Sequence, residues 1–538
     1  MNAVRQHDVV ILGGGLAGLT LSLQLRQRLP GLDILVVERR THPVPQASHK
    51  VGESSVEIQA HYLSHVLGLE QYLKTHQLQK FGFRFFFSDG IDDIASITEM
   101  GASRVLPTLS YQLDRGILEN DLGEMARARG VRFVDGALVR EFALGEKDAP
   151  HRISYDSGGA AQQVDCRWLI DASGRAGLLK RRLGLAQENE HDANAVWFRI
   201  GERIDVNHWS SDAPWLDRCN PPNRWLSTNH LIGEGYWVWL IPLASGSHSV
   251  GIVADNSLHP LDRINTFEKA MQWLAKHQPR LHEDLEGKRD KLQDFAFFKH
   301  FSYGCKKVYS GNDRWALTGE AGLFLDPFYS PGGDFIAISN TFITELVAKD
   351  IGGDAVGMLA SVYENIYFSC YDSMLPLYTG QYKLFGDAEV LPMKVLWDYT
   401  FYWGVLCQLF FQQRLTDVST MKRLQAELAQ ARALNIEMQR FLRAWGEVSA
   451  RRNPARMLDQ ASLDWFVELN RGLTDRLDDA AFAARMQTSC EQLAALALQI
   501  VERATSDHPA LDASDLLALL SDTRRGAAPD MLFDAIAG

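Results

Sequence analysis

The 538-residue sequence lacks any CxxC pair, and its six cysteines, Cys166, Cys219, Cys305, Cys370, Cys407 and Cys490, are scattered. That spacing fits neither a zinc site nor a disulfide framework, so no metal is expected and a reducing cytoplasm is the expected setting. Cations are in the minority, Lys+Arg 55 against Asp+Glu 67, which leaves no basic face for nucleic acid. Prolines number only 18 and aromatic residues make up 10%, the balance of a packed chain and not of a disordered one. A strand is expected by residue 8, so no secretory leader is expected ahead of it. The most apolar stretch, "VLPMKVLWDYTFYWGVLCQLFFQQR" at 390–414, is broken by Lys394 and Asp398. Its uninterrupted part is too short to span a membrane, and a buried helix over an active site is expected instead. Repeats and low-complexity tracts are also absent, and the last residues are expected to fray.

What is present begins with "DVVILGGGLAGLTLSLQLRQRLPGLDILVVERR": an apolar run, a glycine turn, an amphipathic helix and a second apolar run closed by an acid. Gly13-x-Gly15-x-x-Gly18 between two strands, with Glu38 about 20 residues on, is a dinucleotide-binding pattern. The glycines permit a tight turn and close approach to a pyrophosphate. The helix N-terminus attracts the phosphates and the acid takes ribose hydroxyls. Leu16, Ala17 and Arg39 flank these positions and belong to the same candidate surface.

Later stretches end in similar turns. Glu53 and Ser54 follow Gly52 and lead into a helix, with Lys50 beside them and Glu57 placed as in a capping box. Arg115 opens an amphipathic helix, Asp171 closes the strand of "CRWLIDASGRAG", and Gly319 and Glu320 form a turn ahead of a helix starting near Gly332. Parallel strands gather such turns at one sheet edge, and their number implies a large, extended ligand, for which FAD fits better than NAD. A second GxGxxG is not visible, so no NAD(P)H domain is expected. The expected fold is α/β, a Rossmann-like FAD-binding domain over 1–345, with a β-sheet substrate domain inserted at roughly 75–110 and 190–300. From 346 to 538 apolar residues recur at helical spacing, which predicts an all-α C-terminal region. The length alone allows roughly three domain-sized units.

"QKFGFRFFF" at 79–87 sets Lys80 at the head of an aromatic run. By itself it reads as an edge strand with a snorkelling lysine, stem on apolar surface and ammonium in water.

The order GxGxxG, ribose acid, GES, arginine on a helix, DASG and late GE turn resembles the FAD-dependent hydroxylase superfamily. Within it, Trp237-x-Trp239-x-Ile241-Pro242 and Phe324-x-x-Pro327-x-x-Ser330-x-Gly332 are similar to two motifs of flavin-dependent halogenases. The likeness covers roughly residues 5–345. It implies an oxidoreductase of secondary metabolism that uses reduced FAD, oxygen and chloride or bromide to halogenate an electron-rich aromatic. A separate flavin reductase would supply the cofactor. The resemblance makes Lys80 the catalytic lysine, holding the oxidised halogen in a water-poor channel with apolar walls. It assigns the cofactor to Gly13, Gly15, Leu16, Ala17, Gly18, Glu38, Arg39, Lys50, Glu53, Ser54, Arg115, Asp171, Gly319, Glu320, Pro327, Gly332 and Gly333. It assigns the halide and its tunnel to Phe324, Ser330, Pro331, Gly332, Trp237, Trp239, Ile241 and Pro242.

The departures from that pattern are informative. Tyr329 stands where tryptophan halogenases have a glutamate, which favours phenol- or pyrrole-type chemistry, on a free substrate or one tethered to an acyl carrier. Pro331 falls on one of two backbone N–H positions that hold halide in the family, and proline has no N–H. Glu320 replaces the usual aspartate. Two other readings therefore stand beside the halogenase: a flavin monooxygenase or dehydrogenase on the same scaffold, and a flavoprotein that binds FAD and a partner without turnover. Substrate, choice of halide and oligomeric state are not read from the sequence.

Overall fold

The computed structural model describes residues 4–47, 49–146, 149–520 and 529–534. Much of the tail expected to fray lies outside the described residues. The chain packs as two compact units: Met1–Thr75, Leu113–Glu190 and Ser302–Tyr371, and His76–Gln112, His191–Phe301 and Asp372–Gly538. The helical region beyond 371 thus groups with the inserted strands.

The first unit is built on a sheet ordered Tyr309–Ser310, Trp315–Leu317, Ala160–Asp171, Arg5–Leu12, Ile34–Val37 and Arg132–Val134. Apart from the first pair, neighbours on this path run parallel. The central runs "VVIL" and "ILVV" are buried throughout, as strands covered on both faces must be. The helix Leu16–Arg28 follows the first strand, and its residues from Leu16 to Leu25 are buried. Register aligns the carboxyl ends: Leu12 lies opposite both Val37 and Asp171, and Asp171 opposite Leu317. Four strand ends therefore finish level, and the segments that follow them share one edge, the place where α/β sheets bind ligands. The capping box anticipated at Glu57 does not form. Glu57 is the first residue of the helix Glu57–His61, whose N-cap is Val56 with no side-chain cap bond.

The second unit has an eight-stranded sheet ordered Leu292–Phe298, Ala193–Ile200, His248–Asp255, Tyr236–Pro242, Thr228–Gly233, Phe83–Phe86, Thr98–Gly101 and Arg456–Asp459. One face carries an aliphatic core, in which Phe86, Leu231, Val238, Leu240, Val250 and Ile252 pack with Met271 and Leu274. Alternation sends the other set of side chains, including both motif tryptophans, to the opposite face.

In the same unit every position of the helix Val390–Phe401 is buried, and it continues through a π turn, Tyr402–Cys407, into Gln408–Phe411. The two charges that break this apolar stretch pair with each other: Lys394 donates to Asp398 and to Gln439, each at 2.7 Å, and Gln439 donates back to Asp398. A buried ion pair whose remaining donors and acceptors are met is tolerated in an apolar interior. Among the described residues no helix is long and apolar enough to cross a membrane.

Candidate functional site

In the first unit the level strand ends carry Gly13, Glu38, the Ala172–Ser173 turn and Gly319. Glu38 accepts from the Gly14 and Arg40 N–H groups, each at 2.7 Å. These bonds fix the carboxylate at the edge and leave it further lone pairs for hydroxyl donors. A Cβ built on Gly15 meets nothing within 4 Å, whereas one on Gly18 would lie 2.0 Å from the Gly13 carbonyl oxygen. The glycines therefore differ in purpose: Gly18 lets helix and strand close up, and Gly15 faces open space fit for a pyrophosphate. Leu16 and Ala17 are buried behind this turn, while Arg39 is exposed.

Other sequence-selected residues brace the same edge. Asp171 is fully buried, and its carboxylate accepts from Ser173 N–H at 2.9 Å and Leu179 N–H at 2.7 Å. Burial pushes its pKa up, and those bonds oppose the shift. Arg115 and Lys50 both pair with buried Glu119, and Arg115 also donates to the Val51 carbonyl at 3.0 Å. Burial would raise the Glu119 pKa, but Arg115 and Lys50 hold it below the usual range. Glu53 and Ser54 are buried, and the Glu53 carbonyl accepts from Leu113 N–H. Glu320 lies 3.5 Å from Arg175. Its turn is held from behind, where Tyr303 donates to the Glu320 carbonyl at 2.7 Å and Lys180 to the Gly322 carbonyl at 2.9 Å.

The loop that follows is strained. Phe324 is bridged to Tyr303 through two backbone bonds of 2.9 Å, and Ser330 N–H donates to the Pro327 carbonyl. Tyr329 and Ser330 then adopt φ of 65° and 55°. Left-handed backbone at two successive non-glycine residues costs about 1–3 kcal/mol each and gathers at functional sites. The helix Pro331–Ile351 starts directly after them with Pro331 as its first residue. There the missing N–H is one the helix would have left unbonded anyway. Gly332 and Gly333 follow, with N–H groups that have no acceptor inside the helix. A Cβ on Gly333 would run into Gln59 at 2.0 Å, so glycine here is needed for packing as well.

Lys80 lies in the second unit. Its N–H donates to the Ser110 carbonyl at 2.9 Å, Phe81 N–H to the Leu226 carbonyl, and Thr228 N–H to the Gly82 carbonyl. Gly82, at φ 76°, makes the left-handed turn into Phe83–Phe86. That strand is interior, with Thr228–Gly233 on one side and Thr98–Gly101 on the other, which overturns the edge-strand reading. Only 3% of the lysine is exposed, and its Nζ sits 3.4 Å from the Phe83 ring centroid. Register carries this aromatic surface across the sheet: Phe85 lies opposite His230, His230 opposite Trp239, and Ile232 opposite Trp237. Phe83, Phe85, His230, Trp237, Trp239 and Ile241 therefore share one face. Trp237 donates to the Tyr382 hydroxyl and Trp239 to Ser249, both at 3.1 Å. Pro242 ends the strand, buried. From the apolar helix, Tyr399 approaches Phe83 with ring centroids 6.2 Å apart. Behind Phe83 the strand is anchored by a fully buried triad in which Glu99 binds both Arg84 and Arg224.

The sequence reading missed His230. Its ring stacks on Phe85 at 4.7 Å, meets Phe83 edge-on at 5.1 Å, and its Nδ1 lies 3.2 Å from the Arg84 carbonyl. Burial first and the Lys80 cation second lower its pKa to about 3, against the pull of that carbonyl. The ring is neutral, with its Nδ1–H on Arg84. A lone histidine in a strand gives no signal of this. Among the described residues no cluster of metal-ligating side chains occurs.

A family profile described as FAD binding domain matches residues 6–242. A flavin-dependent halogenase of Dictyostelium discoideum is 28% identical over 376 residues, 64% of this chain and 60% of that protein. The chain thus spans less than two thirds of that relative's length. A 1H-pyrrole-2-carbonyl-[peptidyl-carrier protein] chlorinase of Pseudomonas fluorescens is 26% identical over 345 residues, 61% of this chain and 72% of that protein. The solved structure of halogenase PltM superposes over 91% of this chain and 97% of its own, with a TM-score of 0.63 at 17% identity, which establishes a shared fold.

Proposed function

We infer that this chain, a member of the flavin-dependent halogenase family, uses reduced FAD, oxygen and chloride or bromide to halogenate an electron-rich phenol- or pyrrole-like ring. The observation that carries the reading is Lys80, buried against the ring of Phe83, which shares one sheet face with Trp237 and Trp239.

When bound, FAD supplies the oxygen chemistry that turns halide into hypohalous acid. The first unit's residues fit the cofactor: Gly15 leaves room for the pyrophosphate, Glu38 accepts ribose hydroxyls, and the braced 319–322 turn and strained 324–333 loop face the same edge chemistry. Halide is held by Gly332 and Gly333 N–H with Ser330, in place of the N–H that Pro331 lacks. Lys80 first gives one ammonium proton to solvent and then takes the halogen, its amine and hypohalous acid giving an N–halogen bond and water. Transfer of that halogen to the substrate carbon, with the ring proton lost, restores the amine.

The resemblance to flavin-dependent halogenases supports a separate flavin reductase as the source of the reduced cofactor. Relatives named for carrier-bound pyrrole-2-carbonyl support a substrate tethered to an acyl carrier. Six free cysteines suit a reducing compartment such as the cytoplasm. Pro331 favours one second reading, hydroxylation of the substrate without halide. The test supplies chemically reduced FAD, oxygen, a phenol or pyrrole, and chloride, bromide or neither. Halogenated product by mass supports the first reading, and hydroxylated product independent of halide supports the second.

A further inference from the structure

We propose that His230 is a positioning residue for Lys80, a ring that locks Phe83 as the π surface on which the lysine cation rests. This rests on the halogenase reading and adds a residue to it. The ring is held on three sides, by Phe85 stacked at 4.7 Å, Phe83 edge-on at 5.1 Å and Trp237 at 5.3 Å. Its rotation is fixed by Nδ1–H donating to the Arg84 carbonyl at 3.2 Å. Arg84 is in turn immobilised by Glu99 and by the Ala102 carbonyl, 2.6 Å from its Nη2. The result is a rigid path from a buried ion triad, through one backbone carbonyl and one imidazole, to the ring under Lys80.

A phenylalanine would fill the same space but could not be pinned by a hydrogen bond, and a protonated ring beside the Lys80 cation would repel it. Neutral histidine meets both demands, so its chemistry here is specific and not merely space-filling. Placement matters because an error of about 1 Å in a reacting group can cost a hundredfold in rate.

The test uses the full chain with reduced FAD, oxygen, bromide and a phenol, and measures bromophenol formed against hypobromite caught by a fast trap in large excess over the phenol, so that escaped hypobromite does not brominate the phenol in solution. That ratio is blind to any inactive fraction, so a purely structural role would not move it. In His230→Phe the ratio is expected to fall roughly tenfold or more with FAD binding retained. Phe83→Leu, which leaves His230 in place, is expected to do the same and carries the test if His230→Phe fails to fold. An unchanged ratio in a folded variant overturns the proposal. Acetylation of Lys80 relative to exposed Lys422, read by peptide mass spectrometry, needs no halogenation. It should change several-fold in His230→Phe, and unchanged labelling also overturns the positioning role. Absence of bromophenol from the wild type would overturn the halogenase reading alone.

Discussion

The Lys80 ammonium lies 3.4 Å from the centroid of the Phe83 ring on a side chain only 3% exposed. A snorkelling lysine keeps its head in water, and this one does not. A desolvated cation–π contact of this kind contributes about 2 kcal/mol, and it fixes the head group against one aromatic face.

The two glycines of the phosphate turn should separate on mutation. Gly15→Val fills open space and is expected to fold, with FAD retention lost in absorbance spectra of the purified protein. Gly18→Val forces a side chain into the Gly13 carbonyl and is expected to lower soluble yield and thermal stability as well. A yellow, stable Gly15→Val protein would contradict the cofactor site.

Halide use should report on Pro331. Restoring the N–H by Pro331→Ser offers a charged partner a bond worth about 0.5–3 kcal/mol, so half-saturating halide concentration should fall several-fold or more. Bromide, more easily desolvated than chloride, should be preferred by the wild type. Kinetics across a halide series check both, and an unchanged halide dependence in the variant would remove position 331 from the halide site.

Stability should fall with acid before ordinary carboxylates titrate. His230 and His248 are buried, and burial lowers each pKa to about 3, for His248 with help from Arg203 and Lys288. In the unfolded chain they protonate near 6.5, so their contribution is complete above that pH and is lost as pH falls towards 3. Each then costs about 1.4 kcal/mol per pH unit. Denaturant midpoints at pH 7, 6 and 5 should drop progressively, and a flat series would contradict neutral burial.

Much of the fold was legible because its signals are local. The glycine turn, the acid after the second strand and the helical periodicity of the C-terminal region each follow from neighbours in sequence, and the broken apolar stretch 390–414 is indeed a buried helix. What was hidden depends on distant pairing. Lys80 looked like an edge residue because nothing nearby announces that Thr228–Gly233 pairs in parallel with Phe83–Phe86. His230 and the Arg84 carbonyl are 146 residues apart, and only the sheet register brings them together. Glu57 misled in the opposite way: a local capping pattern was present, but the helix begins at Glu57 itself.

The central claim is that Lys80 delivers the halogen, and Lys80→Met tests it most directly. With reduced FAD, oxygen, bromide and a phenol, the wild type should give a product carrying the paired bromine isotope masses. With a fast hypobromite trap in large excess over the phenol, the variant should bind FAD and yield the trapped bromine while giving no brominated phenol. Equal bromination by both proteins would contradict the account and return Lys80 to a structural role.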